Sequence, residues 1–322
     1  MIGLDYQILI AVLLDQLFGD PRWLPHPVRI IGAACVGLEK VTRTLFPPFA
    51  AGICTVTLVL GLTGLTAWGL IAGATLIHPW LADLTSIVLL YTTIAARDLA
   101  GHSRQVYAPL ATGDLTKARK QVGMIVGRDT DDLDGEGITR ATVESVAESM
   151  VDGVTAPLFF AVLGGPVAAL LYKAVNTMDS MFGYKNEHYL KFGWGPARLD
   201  DLANFIPARI TSLMIPAAAF LLRLDQKTSL FILMRDRLKH ASPNSGHTEA
   251  AVAGALGVQL GGSNRYFGKI LKKPTIGDAT RPIEPRDILR ANRLMQLSSA
   301  LTLLAFFVLR QQSLALQYYF TP

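Results

Sequence analysis

The chain reads as an all-α protein: a multi-pass integral membrane helical bundle with broken or re-entrant elements and polar amphipathic helices. Three observations predict this. Of its 322 residues 51% are hydrophobic and only 17% charged, against roughly 25% charged in a soluble domain, and the mean hydropathy is +0.35. Thr44 to Ala82 contains no Asp, Glu, Lys or Arg, which exceeds the roughly 20 residues a membrane span needs. The uncharged run Val154 to Tyr172 is broken by Gly164-Gly165-Pro166 rather than by charge. No fixed-period repeat or low-complexity linker divides residues 1–322, so one membrane-embedded domain is expected. Its main polar regions are 97–153, 176–209 and 223–293. The net charge of +5 comes from scattered Lys and Arg. That pattern fits orientation in a bilayer rather than nucleic-acid binding. Cys35 and Cys54 have neither metal-ligand spacing nor a disulfide framework.

In order, Ile2 to Phe18 is a marginal first span carrying Asp5 and Asp15. Met1 to Tyr6 lacks Lys and Arg, so it does not read as a secretory leader. Pro21, Pro25 and Pro27 make the next stretch a stiff non-helical turn with Asp20, Arg22, His26 and Arg29, and with Trp23 at headgroup level. Ala50 to Ile77 is the most secure span, with Gly61, Gly64, Gly69 and Gly73 suited to close helix packing. Leu84 to Ala96 returns as a second span. Asp114 to Val126 reads as an amphipathic helix capped by Asp114. The acidic run GRDTDDLDGEG that follows lacks the Gly and Glu register of a calcium loop.

Thr139 to Gly153 is a polar helix on which Arg140, Glu144, Glu148 and Asp152 recur every four residues. That spacing stacks them on one side. Three like charges in a row repel. A divalent cation, Arg and Lys partners, or open water would relieve the repulsion. Val154 to Val175 is apolar but broken at Gly164-Gly165-Pro166, a kink or a re-entrant turn. Polar clusters follow at Asn176, Asp179, Lys185 and His188, and at Arg198, Asp200, Asp201, Asn204 and Arg209. Ile210 to Leu222 is a further span, extendable back to Phe205. In the loop-rich stretch beyond it, Ser242-Pro243-Asn244 signals a helix cap and Glu249 opens a helix of small residues. Leu294 to Leu309 is the last span. No P-loop, dinucleotide fingerprint, H-E-x-x-H or G-x-S-x-G motif occurs.

Taken together, these stretches resemble the CbiB/CobD family of cobalamin biosynthesis. The resemblance rests on DQLFGDPRWLPHPV at 15–28, ARDL with His102 at 96–102, ARKQVGMIVGRDT at 118–130 and VESVAES with DGV and AP at 143–157. It continues with NTMDSMFGYKN at 176–186, RLDDLANFIPAR at 198–209 and SPNSGHTEAA with AGALGVQLGG at 242–262. It covers nearly the whole chain. One departure is Ala147-Glu148-Ser149-Met150, where relatives read Ala-Glu-Asn-Thr; Ser149 offers less hydrogen-bonding reach than Asn.

The resemblance implies an adenosylcobinamide-phosphate synthase of the cell inner (plasma) membrane. Such an enzyme joins an amino-alcohol phosphate, aminopropanol phosphate, to the carboxylate of the corrinoid adenosylcobyric acid by amide ligation. ATP is the co-substrate and magnesium (Mg2+) the metal. The candidates for catalysis are Glu144, Glu148, Asp152, Asp179, Asp200, Asp201 and His102, of which Glu144, Glu148, Asp152, Asp179 and Asp200 are candidate metal ligands. His26 is a second candidate base. Arg97, Arg128, Arg140, Asn176, Lys185, Arg198, Asn204, Arg209 and Asn244 are candidates for substrate and phosphate binding. Beyond the substrates and the lipid bilayer, the expected partners are a second copy of the chain or other late cobalamin-pathway membrane enzymes, and no nucleic acid. A transporter, or a membrane sensor of the AmpE-like type, is the alternative.

Overall fold

A computed structural model describes residues 2–21, 23, 25–184, 186–266 and 268–320, with side chains as far as Gln312. In chain order the helices are α1 Leu4–Phe18, α2 Pro27–Leu45, α3 Pro48–Ile77, α4 Pro79–Tyr91, α5 Ala96–Ala111, α6 Leu115–Val122 and α7 Gly135–Met150. A single π turn, Val151–Thr155, leads into α8 Ala156–Phe182, α9 Trp194–Ala203, α10 Phe205–Leu221, α11 Gln226–Asp236 and α12 Ser245–Leu256. A hairpin of β1 Leu260–Tyr266 and β2 Lys269–Ile276 precedes α13 Arg286–Phe320. Among the described residues four stretches are long and apolar enough to cross a membrane: 48–77, 79–111, 135–182 and 286–312; α9 with α10 makes a fifth if counted as one. The all-α membrane bundle is what the sequence predicts. The hairpin is an addition, and its Gly261, Gly262 and Gly268 all adopt positive φ, a conformation open to glycine at no steric cost.

The chain condenses into two compact units, each discontinuous in sequence: 1–95 with 156–204 and 305–322, and 96–155 with 205–304. In the first, the core joins Ile31 and Cys35 of α2, Ala51, Val56 and Val59 of α3, Ala174, Met178 and Phe182 of α8, and Phe192. A polar cluster is buried there too. Asn176 and Asn204 donate to Asp200 (3.4 and 2.9 Å), and Tyr172 donates to Asn204 (2.8 Å). In the second unit α12 is buried along its whole length and packs against α7, α10 and α11.

Several expected elements differ in detail. At fifteen residues α1 is about 22 Å long at 1.5 Å per residue, short of the roughly 30 Å hydrocarbon core. The stiff turn after it ends at Pro27, which starts α2 with His26 as its cap. Of the four glycines expected to pack, only Gly64 meets a neighbour, Leu171 at 3.4 Å from a built Cβ; Gly61, Gly69 and Gly73 face open space. The close approach is at Gly52, where a Cβ would lie 2.0 Å from the Phe192 carbonyl. The break at 164–166 is a kink inside α8, with Gly165 at φ +66°. The helix carrying Glu249 opens four residues earlier, at Ser245.

Candidate functional site

The second unit holds a cavity of about 390 Å3. Four pieces of chain wall it: the loop before α7, α7 itself, the segment from Lys239 to Glu249, and the hairpin. The sequence sets each in place. Asp134 caps α7 by accepting the Gly137 N–H at 2.7 Å. From there the helical repeat carries Glu144 and Glu148 to one wall, one turn apart. Asp129 accepts the Gly268 N–H at 2.7 Å, and its own N–H donates to Arg265, so the loop before α7 holds the hairpin. Gly254 of α12 sits against the Thr228 carbonyl, 2.6 Å from a built Cβ. That contact explains the glycine at this position.

Arg128 and Glu144 form the buried centre of the site. Their side chains are 9% and 7% exposed and make an ion pair. Arg128 also donates to Asn264 Oδ1 (2.7 Å), and Glu144 accepts the Gly261 N–H (2.6 Å), so both carboxylate oxygens are engaged. One turn on, Glu148 accepts from Ser245 Oγ at 3.0 Å. Glu249 is 4% exposed and 3.7 Å from His240 Nε2. Burial, then the Glu148 and Glu144 carboxylates, push its carboxyl well above the usual range. Burial is also the main cause holding the His240 imidazole below its ordinary value. Lys239, Lys272 and Lys273 line the same space, and Lys273 donates to Tyr266 Oη at 2.9 Å. The cavity therefore combines lysine ammoniums for an anionic ligand, a neutral imidazole able to accept a proton and, among the described residues, two carboxyl groups with no Arg or Lys partner at bonding distance.

Among the described residues no three His, Cys, Asp or Glu side chains are gathered to hold a metal ion by themselves. Magnesium bound with substrate phosphates asks less of the protein, one or two carboxylates. Glu148 and Glu249 fit that donor set, because Glu249 is a buried acid facing two further carboxylates.

The sequence candidates distribute unevenly. Glu144, Glu148 and Arg128 meet in the cavity. Asp152 lies in the π turn Val151–Thr155 and outside the cavity lining. Arg140, a turn before Glu144, and the exposed Arg97 and His102 of α5 lie outside the cavity lining. Arg209 and Asn244 belong to this unit and bond each other at 3.3 Å. Asp179, Asp200, Asp201, Asn176, Asn204 and Arg198 belong to the first unit. There Asp200 is bonded to the two asparagines, and Arg198 pairs with Asp201 at 3.6 Å on the surface. His26 caps α2. Lys185 and Arg22 lie outside the described residues. Glu249, His240 and the three cavity lysines are not among the sequence candidates. The signal that could have found Glu249 is its place inside SPNSGHTEAA, a polar run on a helix of small residues.

The family model described as CobD/Cbib protein matches residues 8–295. Curated relatives named "Cobalamin biosynthesis protein CobD" are similar over most of the chain. The protein of Geobacter metallireducens is 53% identical over 278 residues, 86% of this chain and 87% of the relative. That of Leptospira interrogans is 49% identical over 95% of this chain and 97% of the relative. That of Clostridium perfringens is 47% identical over 94% and 97%. No solved structure gives a significant match.

Proposed function

We propose that this chain, which belongs to the CobD/CbiB family of cobalamin biosynthesis proteins, is an adenosylcobinamide-phosphate synthase. On this reading it joins the amine of aminopropanol phosphate to a carboxylate of adenosylcobyric acid, with ATP as co-substrate, at the inner membrane. The observation that supports the reading best is the convergence of Lys239, Lys272, Lys273, His240, Glu148 and Glu249 on one cavity. A carboxylate needs activation before an amine can attack it, and phosphoryl transfer is catalysed mainly by positioning and charge neutralisation.

The roles follow from the side chains. The three lysines bind and orient phosphate oxygens. Arg128, held by Glu144 and Asn264, fixes the hairpin wall. His240, neutral at physiological pH because burial disfavours its charged form, accepts the proton that the attacking amine must lose. Magnesium bound with ATP would be held by Glu148 and Glu249, and its chemistry is to neutralise charge on the transferring phosphoryl group. The cavity admits a small phosphate or the reacting arm of the corrinoid; the macrocycle itself is larger than 390 Å3.

The test is to incubate the purified protein in detergent with adenosylcobyric acid, aminopropanol phosphate, ATP and magnesium and to look for the amide by mass spectrometry. Product is expected only in the complete mixture. Product without ATP would overturn the ligation reading.

A further inference from the structure

We infer that the first turn of α12, together with Arg209 and Arg237, is a binding site for a phosphate monoester. Arg209, on α10, donates to Asn244, the residue that precedes α12, and the carbonyl of Arg237, just beyond α11, lies against Gly246 in the first turn of that helix. Among the described residues neither has a carboxylate partner. Arg209 donates to the Phe205 carbonyl (2.7 Å) and Asn244 Oδ1 (3.3 Å), and Arg237 donates to Met234. Two cations set together without a counter-charge repel, and an anion between them removes that cost.

Three further observations point to a ligand rather than to bare surface. His247 is 6% exposed, yet among the described residues its Nε2 has no hydrogen-bond partner, and a buried polar atom left unsatisfied is costly. The Gly246 N–H, on the first turn of a twelve-residue helix, has no acceptor among the described residues. Free N–H groups and the helix dipole there favour an anion. A Cβ at Gly246 would lie 2.5 Å from the Arg237 carbonyl, so glycine is what lets the helix start sit against the segment that carries Arg237. Two guanidiniums, an amide N–H and an imidazole nitrogen are more donors than a carboxylate's two oxygens use. A phosphate monoester, with three terminal oxygens, takes them all.

Only the identity of the molecule rests on the amide-forming reading; phosphate binding does not. Ser245, in the same turn, donates to Glu148 in the cavity. A short amino alcohol anchored by its phosphate at this turn therefore directs its amine toward the cavity carboxylates.

The experiment is calorimetric titration of ethanolamine phosphate into the full-length protein in detergent, with EDTA and without ATP. One-site binding is expected, with none for ethanolamine. Arg237→Gln and His247→Gln should each weaken it at least tenfold at unchanged melting temperature. Lys117→Gln, on the exposed face of α6, should leave it as it was. Arg237 is half-exposed, so its variant tests the site even if His247→Gln fails to fold. A second arm uses nanodiscs of phosphatidylcholine with and without phosphatidic acid: displacement of ethanolamine phosphate by the lipid supports the same site with a headgroup as its source. Absence of wild-type binding, or unchanged affinity in Arg237→Gln, overturns the proposal. Intact phosphate binding without any amide product would sink the ligase reading alone. Amide product with an unchanged KM for the amino-alcohol phosphate in Arg237→Gln would sink this site alone.

Discussion

Arg128 is the sole Arg or Lys paired with the buried carboxylate of Glu144 among the described residues. Removing it leaves a desolvated charge, which costs about 3–5 kcal/mol in buried pairs. Arg128→Ala is expected to lower the melting temperature sharply, and the double variant Arg128→Met with Glu144→Gln to recover part of the loss. Equal melting temperatures for wild type and Arg128→Ala would show that the pair is not structural. His247 gives a pH prediction. Burial first, then Arg209 and Arg237, hold its folded pKa down at about 4, below the ordinary 6.5. As pH falls from 6.5 toward 4 the unfolded chain takes up a proton that the folded chain does not, so stability falls across that window. His247→Gln removes this term and should flatten the melting curve against pH in EDTA; an unchanged slope would contradict it. Residue-scale detail was only partly legible. Glu144 and Glu148 are visible as a four-residue repeat, because helical spacing is a property of sequence. His240, Lys272 and Glu249 reach the cavity through long-range packing of the hairpin and α12, which no local pattern encodes.

At the scale of elements, α3 shows what a glycine count alone hides. Gly52 abuts the Phe192 carbonyl while Gly61 faces open space. Gly52→Ala is expected to lower yield and melting temperature, because a methyl cannot fit 2.0 Å from a carbonyl oxygen. Gly61→Ala should be neutral or stabilising by about 0.5–1 kcal/mol, the helix-propensity difference. Reversed effects would mean that α3 faces the other way. The helices themselves were readable from apolar runs and breakers: Pro48 and Ile77 bound α3, Asp114 caps α6, and Gly164-Gly165-Pro166 kinks α8. The hairpin was not, since its strands LGGSNRY and KILKKPTI lack period-two alternation and are held instead by Asp129 and the Arg128–Glu144 pair.

For the whole molecule, membrane character follows from composition, and sidedness is a prediction. Residues 97–152 and 223–293, which supply the cavity walls, are rich in Lys and Arg and should face the cytoplasm, where ATP is. Cysteines placed at Lys117 and Lys272 in a chain lacking Cys35 and Cys54 should be labelled only from the cytoplasmic side. Periplasmic labelling of either would contradict the assignment. The most direct test of the proposed site is Glu249→Gln, which keeps size and removes the carboxylate. The rate of amide formation and the melting temperature should be measured on one preparation. The cavity reading predicts at least a hundredfold lower rate, in line with loss of a key electrostatic contact, at an unchanged melting temperature. A normal rate per folded molecule would place the chemistry elsewhere and contradict the account.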